Sequence, residues 1–224
     1  MNLSIVIPVF NQEDKIPVAC ETLDRGLKSL SLSYEILFFD DASQDKSRTL
    51  LEEISARRSH IKFFCSQNYS GLGSSLRALL GKAQGDVIVY MDIERLAWLR
   101  SFPVLIKKMY ETDIIIVSCF GHKQREGSPQ KSFLFLLYGL ICKVFLGLSI
   151  KDLQPKLIFF RRDIFSLVDL KSTDDNIFPE IFVKAKKKKL IIQEIPFENP
   201  HVPGQRLEVQ GCSFFALLGL FWMD

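Results

Sequence analysis

The feature that most constrains this chain is the spacing of its short apolar runs. LSIVIP at 3–8, EILFFD at 35–40, IKFFCS at 61–66, DVIVYMD at 86–92 and DIIIVS at 113–118 are separated by stretches long enough for a helix. These runs are rich in β-branched and aromatic residues, the pattern of strands covered on both faces. After the first run, Ile16, Ala19, Leu23, Leu27 and Leu30 recur at the period of a helix with one apolar face. Leu50, Leu51 and Ile54 do the same ahead of the charged SARRS turn. Strands alternating with helices predict an α/β fold with a mostly parallel central sheet and helices on both faces. Such sheets bind ligands at the carboxyl ends of their strands, so the polar residues there are the candidates for function.

Composition narrows the options. A chain of 224 residues, 47% hydrophobic and 25% charged, fits one globular domain with a sizeable core. A net charge of +3 gives no electrostatic case for nucleic acid as a partner. The cysteines (Cys20, Cys65, Cys119, Cys142 and Cys212) are odd in number and show no CxxC spacing, so a reducing, cytosolic setting is expected. MNLSIVIPVFNQ lacks the basic leader of a signal peptide. A dinucleotide-binding fold needs a glycine-rich turn after its first strand, and PVFNQE has no glycine. GLGSSL at 71–76 lacks the third glycine and reads as a turn leading into a helix near Leu72, and no P-loop pattern occurs.

The remaining strand ends are PVFN at 8–11, DDAS at 40–43, SQN at 66–68 and MDIE at 91–94. In order and spacing, IPVFNQED, DDASQDKS and QNYSGLGSSLRALLGKAQGDVIVYMDIE together resemble the family 2 glycosyltransferases of the GT-A fold. Within that family they are similar to the polyprenyl (dolichyl) phosphate sugar transferases. The resemblance runs from Leu3 to about Val209. It implies one GT-A domain at 1–209, followed by a short apolar C-terminal helix at 210–224 that is a candidate for membrane contact.

By that resemblance, Asp92 and Glu94 hold Mg²⁺ or Mn²⁺ against the diphosphate of a nucleotide-sugar donor. A carboxylate-bound divalent ion stabilises the charge on the departing group. Asp40 accepts hydrogen bonds from the base or ribose; Pro8, Phe10, Asn11 and Gln12 wall the nucleotide; Ser66, Asn68 and Ile93 complete the donor site. SIKDLQPKLIFFRRDIF at 149–165 resembles the family's acceptor segment. A lipid-phosphate acceptor is already an anion and needs no base, whereas a sugar hydroxyl requires one, for which Asp152 is the candidate. Arg125, Lys131, Lys156 and Arg206 are candidates for an acceptor-phosphate clamp, each also readable as a solvated charge. Glu180 occupies a place where relatives put an acidic residue near the acceptor. The alternative for Asp40 and Asp41 is a cap of the following helix with Ser43, and for Asp92 and Glu94 a surface turn.

The chain departs from the family pattern at Gln12, Glu94 and Leu96, at Pro155 and Lys156, and at 204–206. A different donor, a different acceptor, or a relative that binds nucleotide without turnover each accommodates these changes. FLFLLYGLICKVFLGL at 133–148 and SFFALLGLFWMD at 213–224 are too short or too interrupted to span a bilayer. As in-plane helices, assisted by KAKKKK at 184–189, they predict a cytoplasmic protein peripheral to the membrane or docked on a membrane subunit. The expected function is inverting, metal-dependent transfer of a hexose from a GDP-mannose or UDP-glucose type donor to a polyprenyl phosphate. A saccharide acceptor is the alternative.

Overall fold

The structure is a computed structural model that describes residues 2–118 and 150–196. Its strands are β1 (Leu3–Val9), β2 (Tyr34–Asp40), β3 (Ile61–Cys65), β4 (Val87–Met91), β5 (Ile114–Ser118), β6 (Leu157–Arg161) and β7 (Ile192–Pro196). The α-helices are α1 (Ile16–Lys28), α2 (Ser47–Arg57), α3 (Leu72–Lys82), α4 (Phe102–Lys108) and α5 (Ile177–Lys187). A 3₁₀ segment, η1 (Ile93–Ser101), follows β4.

The strands form one sheet in the order β3-β2-β1-β4-β6-β5-β7. Only β6 runs against its neighbours β4 and β5; every other pair is parallel. Reversal of β6 brings its first residue to the same end of the sheet as the last residues of β1 to β4. That end carries the candidate site.

Both faces of the sheet are covered, as the unbroken apolar runs require. Ile5, Ile7, Ile36, Phe38, Val87, Val89 and Phe159 point to the side of α1 and α4, where Ile16, Leu23, Leu27, Phe102 and Leu105 meet them. Val6, Leu37, Ile88, Ile158 and Phe160 point to the other side and pack on Leu76, Leu79, Phe178 and Phe182 of α3 and α5. Each such side chain stabilises the fold by about 1.5–3 kcal/mol when fully buried. α1 has Pro17 in its first turn, where the missing N–H costs nothing. α3 starts at Leu72, as the sequence predicts, after Gly71 at φ 89°. A Cβ on Gly71 would sit 2.5 Å from the Thr173 carbonyl oxygen, so close passage of the 172–174 loop as well as φ requires glycine.

Candidate active site

Strand register sets the site. Val9 lies beside Asp40, and Asp40 beside Cys65, so β1, β2 and β3 end level. Met91 pairs with Leu157, which places Asp92 next to Lys156; the Asp92 amide donates to the Lys156 carbonyl at 2.9 Å.

The two aspartates that close β2 have opposite fates. Asp41 is 4% exposed and its carboxylate is saturated. Oδ1 accepts from Ser66 Oγ at 3.0 Å, Ser70 N at 2.9 Å and Ser70 Oγ at 2.7 Å, and Oδ2 accepts from Gly71 N at 2.8 Å. Asp41 thus shapes the turn that starts α3. Asp40 is fully buried, and among the described residues neither of its carboxyl oxygens has a hydrogen-bond partner. A buried carboxyl without a donor is costly, so Asp40 calls for a partner from outside the chain, a ligand, an ion or an ordered water. Neither aspartate caps α2, which begins after Lys46 with no side-chain cap, so the capping alternative fails.

The β1–α1 and β2–α2 loops are stitched together beside Asp40. Asn11, held at φ 52°, donates its backbone N–H to Ser43 Oγ at 2.8 Å, and its Oδ1 accepts from Gln44 N at 2.8 Å. Gln12 N donates to Ser47 Oγ at 2.8 Å, while Gln12 Oε1 is buried without a partner. Glu13 N donates to Asp45 Oδ2 at 3.0 Å. Burial raises the Asp45 carboxyl, but hydrogen bonds from Ser47 and Glu13 outweigh this and hold it below the usual range. Ala42, at φ 60°, adopts the left-handed conformation in the same loop, where a side chain is strained. Pro8 is half-buried in β1. Phe10 is 44% exposed and leans on Tyr69, 66% exposed, with ring centroids 5.0 Å apart. An open aromatic pair beside a buried acceptor suits a planar, hydrogen-bond-donating ligand. Ser66 Oγ lies within hydrogen-bond distance of both Asp41 Oδ1 and the Asn68 carbonyl, which share its single hydrogen, and Asn68 is exposed.

At the end of β4, Asp92 Oδ1 accepts from Glu94 N at 2.9 Å, and Oδ2 lies 3.3 Å from Lys156 Nζ. Glu94 pairs with Lys15 at the start of α1. The side chain of Ile93 is buried in the core, which leaves only its backbone for a ligand. Among the described residues no three acidic, His or Cys side chains gather as a metal cage. The donor set nevertheless fits a hard divalent cation: two partly solvated carboxylates, with the remaining positions left to water and substrate phosphate, are the usual provision for Mg²⁺.

The acceptor-side residues are more dispersed. Lys156 sits on Asp92, at the donor side of the site. Asp152 is 7% exposed; its Oδ1 accepts from Gln154 N at 3.2 Å, and its own amide donates to Glu194 Oε1 at 3.0 Å. Glu180 is 2% exposed and receives Lys171 N, Ser172 N and Lys184 Nζ at 2.7–2.9 Å. Burial pushes its carboxyl up, but these donors win and hold it below the ordinary value. Arg125, Lys131, Arg206 and the segments 133–148 and 210–224 lie outside the described residues. Of the 184–189 lysines, Lys184 is tied to Glu180 and the Asp169 carbonyl. The run closes α5 just before β7 begins, so it lies at the end of the sheet opposite the site.

Sequence reasoning missed three residues here. Lys15 is one, since nothing local links it to Glu94 across 79 positions. Tyr69 is another, though an aromatic beside the Ser70–Gly71 turn was a visible signal. The third is Asp175, a surface residue whose carboxyl group is partly shielded from water and so raised, with Lys156 opposing the shift and Asp174 adding to it.

A mostly parallel sheet with one reversed strand, bearing this site at its strand ends, is the GT-A fold of the nucleotide-diphospho-sugar transferases. Mannosyl-3-phosphoglycerate synthase from Rubrobacter xylanophilus shares it with a TM-score of 0.65 at 15% identity, over 90% of this chain and 68% of that one. The family described as glycosyl transferase family 2 matches residues 4–168, and the chain belongs to that family. It is 23% identical to a dolichyl-phosphate beta-glucosyltransferase of Trichomonas vaginalis, over 96% of this chain and 71% of the relative. It is 27% identical to a dolichol-phosphate mannosyltransferase of Pyrococcus furiosus, over 88% of this chain but only 56% of the relative.

Proposed function

We propose that the protein transfers a hexose from a nucleotide-sugar to a polyprenyl phosphate at a membrane surface, with inversion and with a divalent cation. The observation that carries the donor half is Asp40, a fully buried carboxyl without a partner among the described residues, set beside Val9 and the open Phe10–Tyr69 pair. Nucleobase and ribose offer the N–H and O–H donors it lacks. Asp92 and Glu94 would hold Mg²⁺ or Mn²⁺, which when bound supplies Lewis-acid stabilisation of the departing diphosphate. Glucosyl-3-phosphoglycerate synthase of Mycobacterium tuberculosis, a fold neighbour at TM-score 0.62, has been solved with Mn²⁺ and uridine diphosphate.

In this reaction an oxygen of the acceptor phosphate attacks the anomeric carbon while the bond from that carbon to the diphosphate oxygen breaks, so the nucleoside diphosphate leaves. No proton has to be removed from the acceptor. Asp152, the candidate base for a hydroxyl acceptor, is buried and accepts the Gln154 amide, and Glu180, expected near the acceptor, is buried and holds the Lys171 and Ser172 amides, so neither is set out to take a proton. The names of the relatives support the same acceptor class. Among the described residues no helix is long and apolar enough to cross a membrane. A lipid contact serving the site would have to be made at the site end of the sheet, away from the 184–189 lysines.

A saccharide hydroxyl acceptor is a second reading; it needs a base, and Asp175, in the loop before α5 and within electrostatic reach of Lys156, is the carboxylate to test for that role. One experiment separates the two. Radiolabelled GDP-mannose and UDP-glucose are offered with polyprenyl phosphate in anionic liposomes or with soluble oligosaccharides, with and without Mn²⁺, to the wild type and to Asp175→Asn. Label in the lipid fraction, dependent on metal and retained within a few-fold in the variant, supports the proposal. Label only in the saccharide, lost about 100-fold or more in Asp175→Asn, would replace it with the second reading.

A further inference from the structure

The acid pair at the end of β4 does not face solvent alone. Two lysines from separate elements converge on it, one per carboxylate: Lys15 from the start of α1 on Glu94, and Lys156 from the residue before β6 on Asp92. The pairing is built from long-range contacts, 79 positions apart in the first case. The second is anchored by the Asp92 to Lys156 backbone hydrogen bond, 2.9 Å long. All four side chains are between 24% and 49% exposed, so the pairs are screened by water and readily exchanged.

Charge balance gives this arrangement a consequence. With both lysines docked, each of these two carboxylates already has a cationic partner, so the pull on a divalent cation arriving alone is weakened, even with Asp175 also within electrostatic reach of Lys156. A nucleoside diphosphate changes the balance, since its phosphate oxygens are strong acceptors for ammonium groups. We infer that Lys15 and Lys156 are exchangeable counter-ions of Glu94 and Asp92 that transfer to the donor's diphosphate, so that metal and diphosphate bind as a coupled pair. This inference rests on the donor-site reading above. It assigns positioning roles to Lys15, which no motif marks, and to Lys156, which the sequence suggests for the acceptor side.

Coupling of this kind is reciprocal: whatever factor the diphosphate adds to metal affinity, the metal adds to diphosphate affinity. The test is calorimetric titration of Mn²⁺ and of nucleoside diphosphate (GDP and UDP), each alone and each in the presence of the other. It is run on the wild type, Lys15→Met, Lys156→Met and Lys15→Arg. Methionine keeps the apolar stem and removes the charge.

For the wild type the expected result is Mn²⁺ binding at least about tenfold tighter with diphosphate present than without. Either methionine variant is expected to bind Mn²⁺ alone several-fold tighter, to bind diphosphate alone several-fold weaker, and to show a smaller coupling factor, while Lys15→Arg retains the wild-type pattern. Methionine variants that bind Mn²⁺ alone as the wild type does, or more weakly, would overturn the inference, because the lysines would then be inert or would merely steady the metal ligands. Failure of any nucleotide to bind would instead remove the donor-site reading. In that case the response of Mn²⁺ alone to Lys15→Met still decides whether the lysine competes for Glu94.

Discussion

Replacing each of the two adjacent aspartates by asparagine should change stability in opposite directions. In Asp41→Asn, one carbonyl oxygen and one NH₂ group stand where two oxygens received Ser70 N and Gly71 N. One backbone N–H is left without an acceptor at a site only 4% exposed. An unsatisfied buried donor costs about 1–3 kcal/mol. For a domain of this size each kcal/mol moves Tm by about 2–4 °C, so the melting temperature should fall by roughly 2–12 °C.

Asp40→Asn removes a potential charge from a place with no partner to lose among the described residues. The amide remains polar, so the gain is a fraction of the several kcal/mol that an isolated buried charge costs, about 1–2 kcal/mol, or a rise in Tm of roughly 2–8 °C. The same change should weaken nucleoside diphosphate binding by about 1.5–3 kcal/mol, or about 10- to 150-fold. Thermal unfolding followed by circular dichroism, without ligand and then with nucleotide and Mn²⁺, measures both effects. If Asp40→Asn lowers the ligand-free Tm as far as Asp41→Asn does, Asp40 has a structural partner and is not held open for a ligand.

Three further outcomes are expected. Asp92→Asn should keep most nucleotide-induced stabilisation while losing the part that depends on Mn²⁺, read by thermal shift with and without chelator, because the amide offers no anionic ligand. Gly73→Ala should cost about 1–3 kcal/mol in urea unfolding, since its Cβ would lie 2.6 Å from Ser172 O and 2.7 Å from Thr173 C, backbone atoms that cannot yield without moving the loop of Asp175. Glu180 has its carboxyl held below the ordinary 4.5 by its hydrogen bonds, so its contribution is fully present above that value and is lost as the pH falls through its lower folded-state value. Denaturant midpoints measured from pH 7 down to pH 3 should fall more steeply in the wild type than in Glu180→Gln, and equal slopes would contradict the assignment.

What the sequence determined by itself is what local pattern encodes. Unbroken apolar runs with helical stretches between them specify a two-faced sheet, because a strand without polar alternation has no face to give to water. Parallel connection then puts the carboxyl ends of successive strands at one edge, so the sequence itself places Asp40, Ser66 and Asp92 at the same end of the sheet. Tertiary structure decided how those groups are used. Side chains alternate faces along a strand, so Asp40 and Asp41, one residue apart, turn to different neighbours: one meets no donor among the described residues, and the other meets the Ser70–Gly71 turn. Reversal of β6 carries Lys156 to Asp92, and the start of α1 carries Lys15 to Glu94. The same chain path takes the 184–189 lysines to the far end of the sheet. Each of these pairings joins residues far apart in the chain, and their geometry is set by strand order and direction, which no local spacing of residue types encodes.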